Sequence, residues 1–109
     1  MLNNEIFQEL IQEEIQHISE LFQVKNDQYK TNDDPLANFT AGAALRYGNT
    51  DMSAKFEALK DYVGKHIAHV YNNDLNGPKV SESLQDIIVY FIIARVMAKL
   101  EVQDENRAL

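Results

Sequence analysis

The stretch "SESLQDIIVYFIIA", Ser81 to Ala94, sets two carboxylates, Glu82 and Asp86, four residues apart at the start of the most apolar segment of the chain. On a helix, Glu82, Asp86 and Tyr90 lie above one another on one face. An acid in a helix's first turn is favoured by the helix dipole, and that alone would account for Glu82. Asp86 lies more than a turn inside and points where Val89, Tyr90, Ile93 and Met97 point. A carboxylate turned toward an apolar face must be met by something, because unpaired burial either costs heavily or drives it neutral. A second acid is out of place near the N-terminus. Advancing each residue by about 100°, Glu5, Glu9, Glu13 and Glu20 point away from the apolar stripe of the first helical segment. Glu14 falls between Leu10, Ile18 and Leu21, with Lys25 on the same line and His17 at its border. Glu14, Glu82 and Asp86 brought together would repel one another unless a cation or protons intervened. Hard oxygen donors with no cysteine suit Mg2+ or Mn2+, which keep positions open for water and phosphate oxygens. Holding a divalent ion is the chemistry these spacings point to.

Other polar residues carry less. His66 flanks a seam beside Leu59 and Tyr62, and His69 lies further round; both read as boundary histidines. Lys65 points away from that seam, where solvent would surround it unless a loop or subunit brought a phosphate over it. Asn38 and Phe39 follow a turn and read by default as cap and core. The Gln- and Glu-rich side of the first helix reads as a wet face.

Four helical segments must position these groups, and no alternating strand pattern competes with them. Ile6, Phe7, Leu10, Ile11, Ile15, Ile18, Leu21 and Phe22 recur at helical spacing from Asn4 to about Lys25. "DDPLANF" restarts the pattern, with Asp34 expected as N-cap and Pro35 at the first helical position. That short helix should stop near Gly48, a residue suited to the left-handed conformation. A third helix is predicted from about Asp51 to Asn72, capped by Thr50, with Met52, Phe56, Leu59, Val63, Ile67 and Val70 as its seam. "NNDLNGP" is a strong loop signal. The fourth helix should begin at Val80 or Ser81 and run to about Gln103, leaving residues 104–109 frayed. Three long helices and one short one predict an all-α helical bundle.

The totals narrow the classes. A chain of 109 residues fits one domain with a single core. Its 17 acidic against 10 basic residues give a net charge of −7, which argues against direct binding of nucleic acid. No cysteine is present, consistent with a reducing compartment. The N-terminus lacks the apolar core of a signal peptide, and the longest apolar run, Ile87 to Ala94, is far short of a membrane span. A cytoplasmic protein without membrane contact is the expectation. The fourth helix is apolar on nearly all sides, more than three neighbours would cover, which predicts a homodimer or homotetramer.

The order of short motifs carries a resemblance. "VKNDQY" (Val24–Tyr29), then "NF" (Asn38, Phe39), then "LKDYVGKHIAHV", then "ESLQDIIVYFIIA" resembles the phage and bacterial branch of the all-α NTP pyrophosphohydrolases, which includes MazG-like enzymes and the phage nucleotide-modification-associated domains. It spans about Gln12 to Ala98. The resemblance implies an all-α, usually oligomeric fold whose helical acids bind Mg2+. It also implies hydrolysis of a (deoxy)nucleoside triphosphate to the monophosphate and pyrophosphate, in the host cytoplasm if the chain is phage-encoded. Glu82 and Asp86 match the second acidic motif. Lys25, Asn26 and Tyr29 match the K-N…Y element, Asn38 and Phe39 match N-F, and Lys65 stands where the family has a basic residue near phosphate. On that reading Glu14, Glu82 and Asp86 hold metal, and Lys25 and Lys65 face phosphates. Tyr29 or Phe39 would stack on the base, Asn26 or Asn38 would read its edge, and Tyr90 would line the site. The chain departs from the pattern at "EEIQH", where His17 ends the first acidic motif, and at Gln28 and Lys30 around Tyr29. The second acidic motif has three residues between its acids where the family has two. A catalytically inactive nucleotide-binding or phage accessory protein is the alternative these departures leave.

Overall fold

The computed structural model describes the backbone of residues 1–28 and 34–108, and the side chains of 1–24 and 34–103. Four helices make up the fold: α1 (Asn4–Gln28), α2 (Ala37–Tyr47), α3 (Met52–Tyr71) and α4 (Val80–Ala108). No strand occurs among the described residues. The all-α class, with three long helices and one short, is the one the periodicity predicts. The chain forms two compact units, Met1–Pro35 and Leu36–Leu109.

The first unit is α1. Asn3 starts it: its carboxamide oxygen accepts from the Ile6 amide at 2.9 Å, and its carbonyl accepts from the Phe7 amide at 2.9 Å. This satisfies two of the amide donors that a helix start leaves open. The helix runs to Gln28, three residues past the expected Lys25. No glycine or proline lies between Lys25 and Gln28, so nothing local stops it earlier. On its polar side the Gln16 side-chain amide donates to Glu20 at 3.1 Å. Large apolar residues on it, Phe7, Leu10 and Ile15 among them, are about half exposed.

The second unit holds α2, α3 and α4, with α3 packed against both of the others. Phe39, Leu59, Val63 and Met97 form its buried centre, lined by Leu36, Met52, Tyr62, Ile67, Tyr90 and Ile93 among others. Leu59 is wholly buried, which is worth about 1.5–3 kcal/mol for such a side chain. These residues belong to the seams that helical spacing picks out.

Two caps differ from expectation. Asp34 and Pro35 lie ahead of the second helix, which begins two residues beyond the expected Pro35. The residue at its start is Leu36, whose carbonyl accepts from the Phe39 and Thr40 amides at 2.9 Å and from the Thr40 hydroxyl at 3.1 Å. Thr50 does not cap α3. The Asp51 carboxylate does, accepting from the Ala54 amide at 2.8 Å, while Asn49 accepts from the Asp51 amide at 3.1 Å. Asp51 stands three residues before the amide it must reach, the spacing a cap requires. Gly48 ends α2 as expected, with φ 73° and its amide donating to Ala44 at 3.2 Å.

The α3–α4 turn is fastened from outside. The His69 ring, through Nε2, donates to the Pro78 carbonyl at 2.7 Å, and the Asn73 side-chain amide donates to the His69 carbonyl at 2.8 Å. Lys79, with φ 60°, then turns the chain into α4. This helix continues to Ala108 rather than ending near Gln103. Residues 104–108 contain no helix breaker. Ile87, Tyr90, Ile93, Ala94 and Met97 face α3 and the core, whereas Leu84, Ile88, Phe91 and Val102 are substantially exposed. Among the described residues, no helix is long and apolar enough to cross a membrane.

Candidate functional site

The turn of α4 that carries Asp86 lies beside α3, and His66 is the residue it meets. His66 Nδ1 and Asp86 Oδ2 are 3.6 Å apart, with the imidazole one-fifth exposed and the carboxylate nearly half exposed. That distance is too long for a hydrogen bond, but it makes an ion pair whenever the imidazole is protonated. One turn on, Tyr90 lies against the same imidazole, with ring centroids 5.9 Å apart. Tyr90 meets Phe39 of α2 edge-on at 6.2 Å, and Phe39 meets Tyr62 of α3 at 5.9 Å. These offset and edge-on arrangements are the ones aromatic quadrupoles favour. Burial raises the Tyr90 phenol above its ordinary value, and the nearby Asp86 charge adds to the effect. Its hydroxyl therefore stays a proton donor throughout the neutral range.

Beyond Tyr62 the strip turns polar. The Tyr62 hydroxyl donates to the Asn38 carbonyl at 3.4 Å, and the Arg46 guanidinium lies 5.4 Å from the Tyr62 ring centre. Arg46 also pairs with Asp61 at 3.0 Å, and the Tyr47 hydroxyl donates to the same carboxylate oxygen at 2.6 Å. The Tyr47 bond first, and the Arg46 bond second, hold the Asp61 carboxyl below its usual range. The same contacts push the Tyr47 phenol and the Arg46 guanidinium up. Arg46 is thus neutralised locally by Asp61, while Asp86 faces the His66 imidazole.

Asp86, Tyr90 and Phe39, three of the residues singled out by sequence, are therefore brought into one strip. Phe39, expected as a stacking ring, is buried within the core, while its neighbours Tyr90 and Tyr62 are partly exposed. Glu82 is exposed at the start of α4, Lys65 is exposed on α3, and Asn38 is exposed on α2. Glu14 belongs to the N-terminal unit and is exposed. Of the apolar residues expected around it, Leu10 is 51% exposed, Leu21 is partly buried and Ile18 is buried. The side chains of Lys25 and Asn26, and all of Tyr29, lie outside the described residues. No group of three or more His, Asp or Glu side chains that could hold a metal ion occurs among the described residues.

Sequence reasoning read His66 only as a boundary histidine and passed over the Arg46–Asp61–Tyr47 group. The signal for His66 was present in part, because it borders the same seam as Leu59 and Tyr62. Nothing in the spacing ties Asp61 to residues fourteen and fifteen positions earlier. No family model, curated protein or solved structure matches the chain.

Proposed function

We propose that the chain handles a nucleoside triphosphate, hydrolysing it with Mg2+ (or Mn2+) to the monophosphate and pyrophosphate, with Glu82 and Asp86 of α4 as the metal-facing acids. The observation that carries the reading is Asp86 held at 3.6 Å from His66 beside the half-buried Tyr90 ring. It joins a water-accessible carboxylate to an aromatic surface on which a base could lie. Glu82 and Asp86 are a fit for Mg2+ in donor type and number, since that ion commonly takes one or two carboxylates and completes its shell with water and phosphate oxygens. Such an ion, when bound, would neutralise the triphosphate and lower the pKa of a bound water.

The chain's own residues have separate tasks in this reading. Asp86 and Glu82 supply negative charge where the cation is wanted. His66 orients the Asp86 carboxylate from α3. The Tyr90 hydroxyl, kept protonated, donates a hydrogen bond, and its ring with that of Tyr62 offers stacking surface. Lys65 supplies a cation for phosphate on the solvent side of α3. The acidic balance of the chain then suits an anionic substrate only when the cation accompanies it. Assembly as a homodimer or homotetramer belongs to the same proposal, supported by the apolar side chains left exposed on α4.

A second reading, nucleotide binding without turnover, is favoured by one observation: the described residues bring no third acid to Glu82 and Asp86. Pyrophosphate release separates the two. A panel of dNTPs and NTPs with Mg2+ should yield pyrophosphate from the wild type and none from Asp86→Asn at unchanged helicity. A rise in melting temperature with nucleotide and no pyrophosphate selects the binding reading. Full activity in Asp86→Asn defeats the assignment of that carboxylate.

A further inference from the structure

Lys79 is strained in a way the sequence of its own turn does not explain. Its φ of 60° makes it the one non-glycine residue in the left-handed region among those described. A lysine there brings its β-carbon against the following carbonyl and is disfavoured relative to glycine. Residues that take this conformation readily stand close by, at Asn76 and Gly77, but not at position 79. Such strain persists only where the surroundings over-determine it.

Here they do so from both sides. Because a peptide is planar, φ of Lys79 is set by the plane of the peptide that joins Pro78 to Lys79. The carbonyl of that peptide is the one to which the His69 ring donates at 2.7 Å. His69 is itself tied: the Asn73 side-chain amide donates to its carbonyl at 2.8 Å and lies 3.5 Å from its Nδ1. The next peptide, from Lys79 to Val80, belongs to α4. Its carbonyl accepts from the Ser83 amide at 3.0 Å, and Val80 is 2% exposed. Upstream, the Pro78 ring fixes its own φ, and the Gly77 amide donates to the Asp74 carbonyl at 2.8 Å. With both flanks held, rotation of the Pro78–Lys79 peptide is the motion that could return Lys79 to negative φ. The imidazole opposes that rotation by holding the oxygen.

We propose that His69 is a latch between α3 and α4. While its bond to Pro78 holds, the Pro78–Lys79 peptide keeps the orientation that strains Lys79. When the bond breaks, the peptide flips, Lys79 relaxes to negative φ and the entry into α4 is reset. The device thus has the two discrete arrangements that a switching element requires. The turn it resets carries Glu82, yet the latch needs neither nucleotide nor metal, and it stands whether or not the chain hydrolyses anything.

Two measurements on the full chain, without nucleotide or metal, test this. Positive φ brings a residue's amide and α protons close together, so wild-type Lys79 should show a strong NMR cross-peak between them. In His69→Ala that cross-peak should weaken to the level of an ordinary residue. Should His69→Ala fail to fold, His69→Phe keeps the bulk of the ring without the donor and should read the same. Lys79→Gly gives the second reading, by urea denaturation. Glycine relieves left-handed strain but adds freedom to the unfolded chain. With the latch intact, relief dominates and the unfolding constant should fall about threefold. With His69 replaced, no strain is left to relieve, and the same substitution should raise the constant about threefold. That change of sign between backgrounds is the coupling the latch requires. A weak cross-peak in the wild type overturns the proposal. So does a strong one that survives loss of the imidazole, or Lys79→Gly acting equally in both backgrounds, since Lys79 would then take its conformation from the turn alone.

Discussion

Gly42 of α2 packs tightly against Ala58 and Tyr62 of α3, and alanine there sets two effects of opposite sign against each other. In a helix interior, alanine is favoured over glycine by about 1 kcal/mol. Its methyl group would meet the Tyr62 hydroxyl oxygen at 2.5 Å, and both the Tyr62 ring and the Ala58 methyl at 3.3 Å. Ala58 is wholly buried and has no rotamer to change. Tyr62 must therefore shift, and its ring is engaged with Phe39 and Arg46. Overpacking of this kind costs about 1–3 kcal/mol, so Gly42→Ala should destabilise by up to ~2 kcal/mol after the helix preference is subtracted. For a unit of this size that lowers the melting temperature by several degrees. Tyr62→Phe removes the oxygen behind the closest contact at the loss of one long hydrogen bond. In that background Gly42→Ala should be neutral or stabilising, giving a coupling of about 1–2 kcal/mol across the four-protein cycle. Urea denaturation followed by circular dichroism measures it. Gly42→Ala stabilising both backgrounds equally would refute the reasoning, since the glycine would then serve no close approach.

Asp51→Ala removes the α3 cap and should cost about 1 kcal/mol in the same urea experiment, whereas Thr50→Ala should stay within experimental error; the reverse order would restore Thr50 as the cap. Asp61 gives a pH signature. Its folded carboxyl titrates below the unfolded one, so its contribution is present above about pH 4, the ordinary carboxylate value, and fades as pH falls through the lower folded value. The stability gap between wild type and Asp61→Asn should hold from neutral pH to about 4 and narrow below it; a gap that widens in acid would contradict the assigned direction.

Helix type and core were legible because burial repeats with the helical period. Leu59, Val63 and Met97 stand on the apolar sides of their wheels, and all three are buried. Helix ends were less legible, since a cap is chosen by one side chain's reach: Thr50 and Asp51 both have a suitable oxygen, and only the latter is spaced to meet Ala54. The side to which Asp86 points could be read from α4 alone, but its neighbour His66 could not. Which turn of α3 lies opposite is fixed by how two helices seat against each other, and no local pattern records that. The apolar stripe of α1 was legible as a stripe, yet a wheel gives direction and not cover. Glu14, central in the stripe, is exposed along with much of it. The polar strip from Arg46 to Asp61 was illegible for a different reason, because its members come from two helices and look like ordinary solvated charges one at a time.

The bond from His69 to Pro78 reaches beyond the loop it closes. A proline carbonyl can only accept, so the imidazole must carry a proton on Nε2, the nitrogen that faces it. The outline of the crossover is thereby written partly into the preceding rod rather than into the crossover itself. Asp74, Leu75 and Asn76 can drift in identity while the two rods keep their alignment, and a single change at His69 would loosen a span reaching nine residues downstream without altering any residue within it.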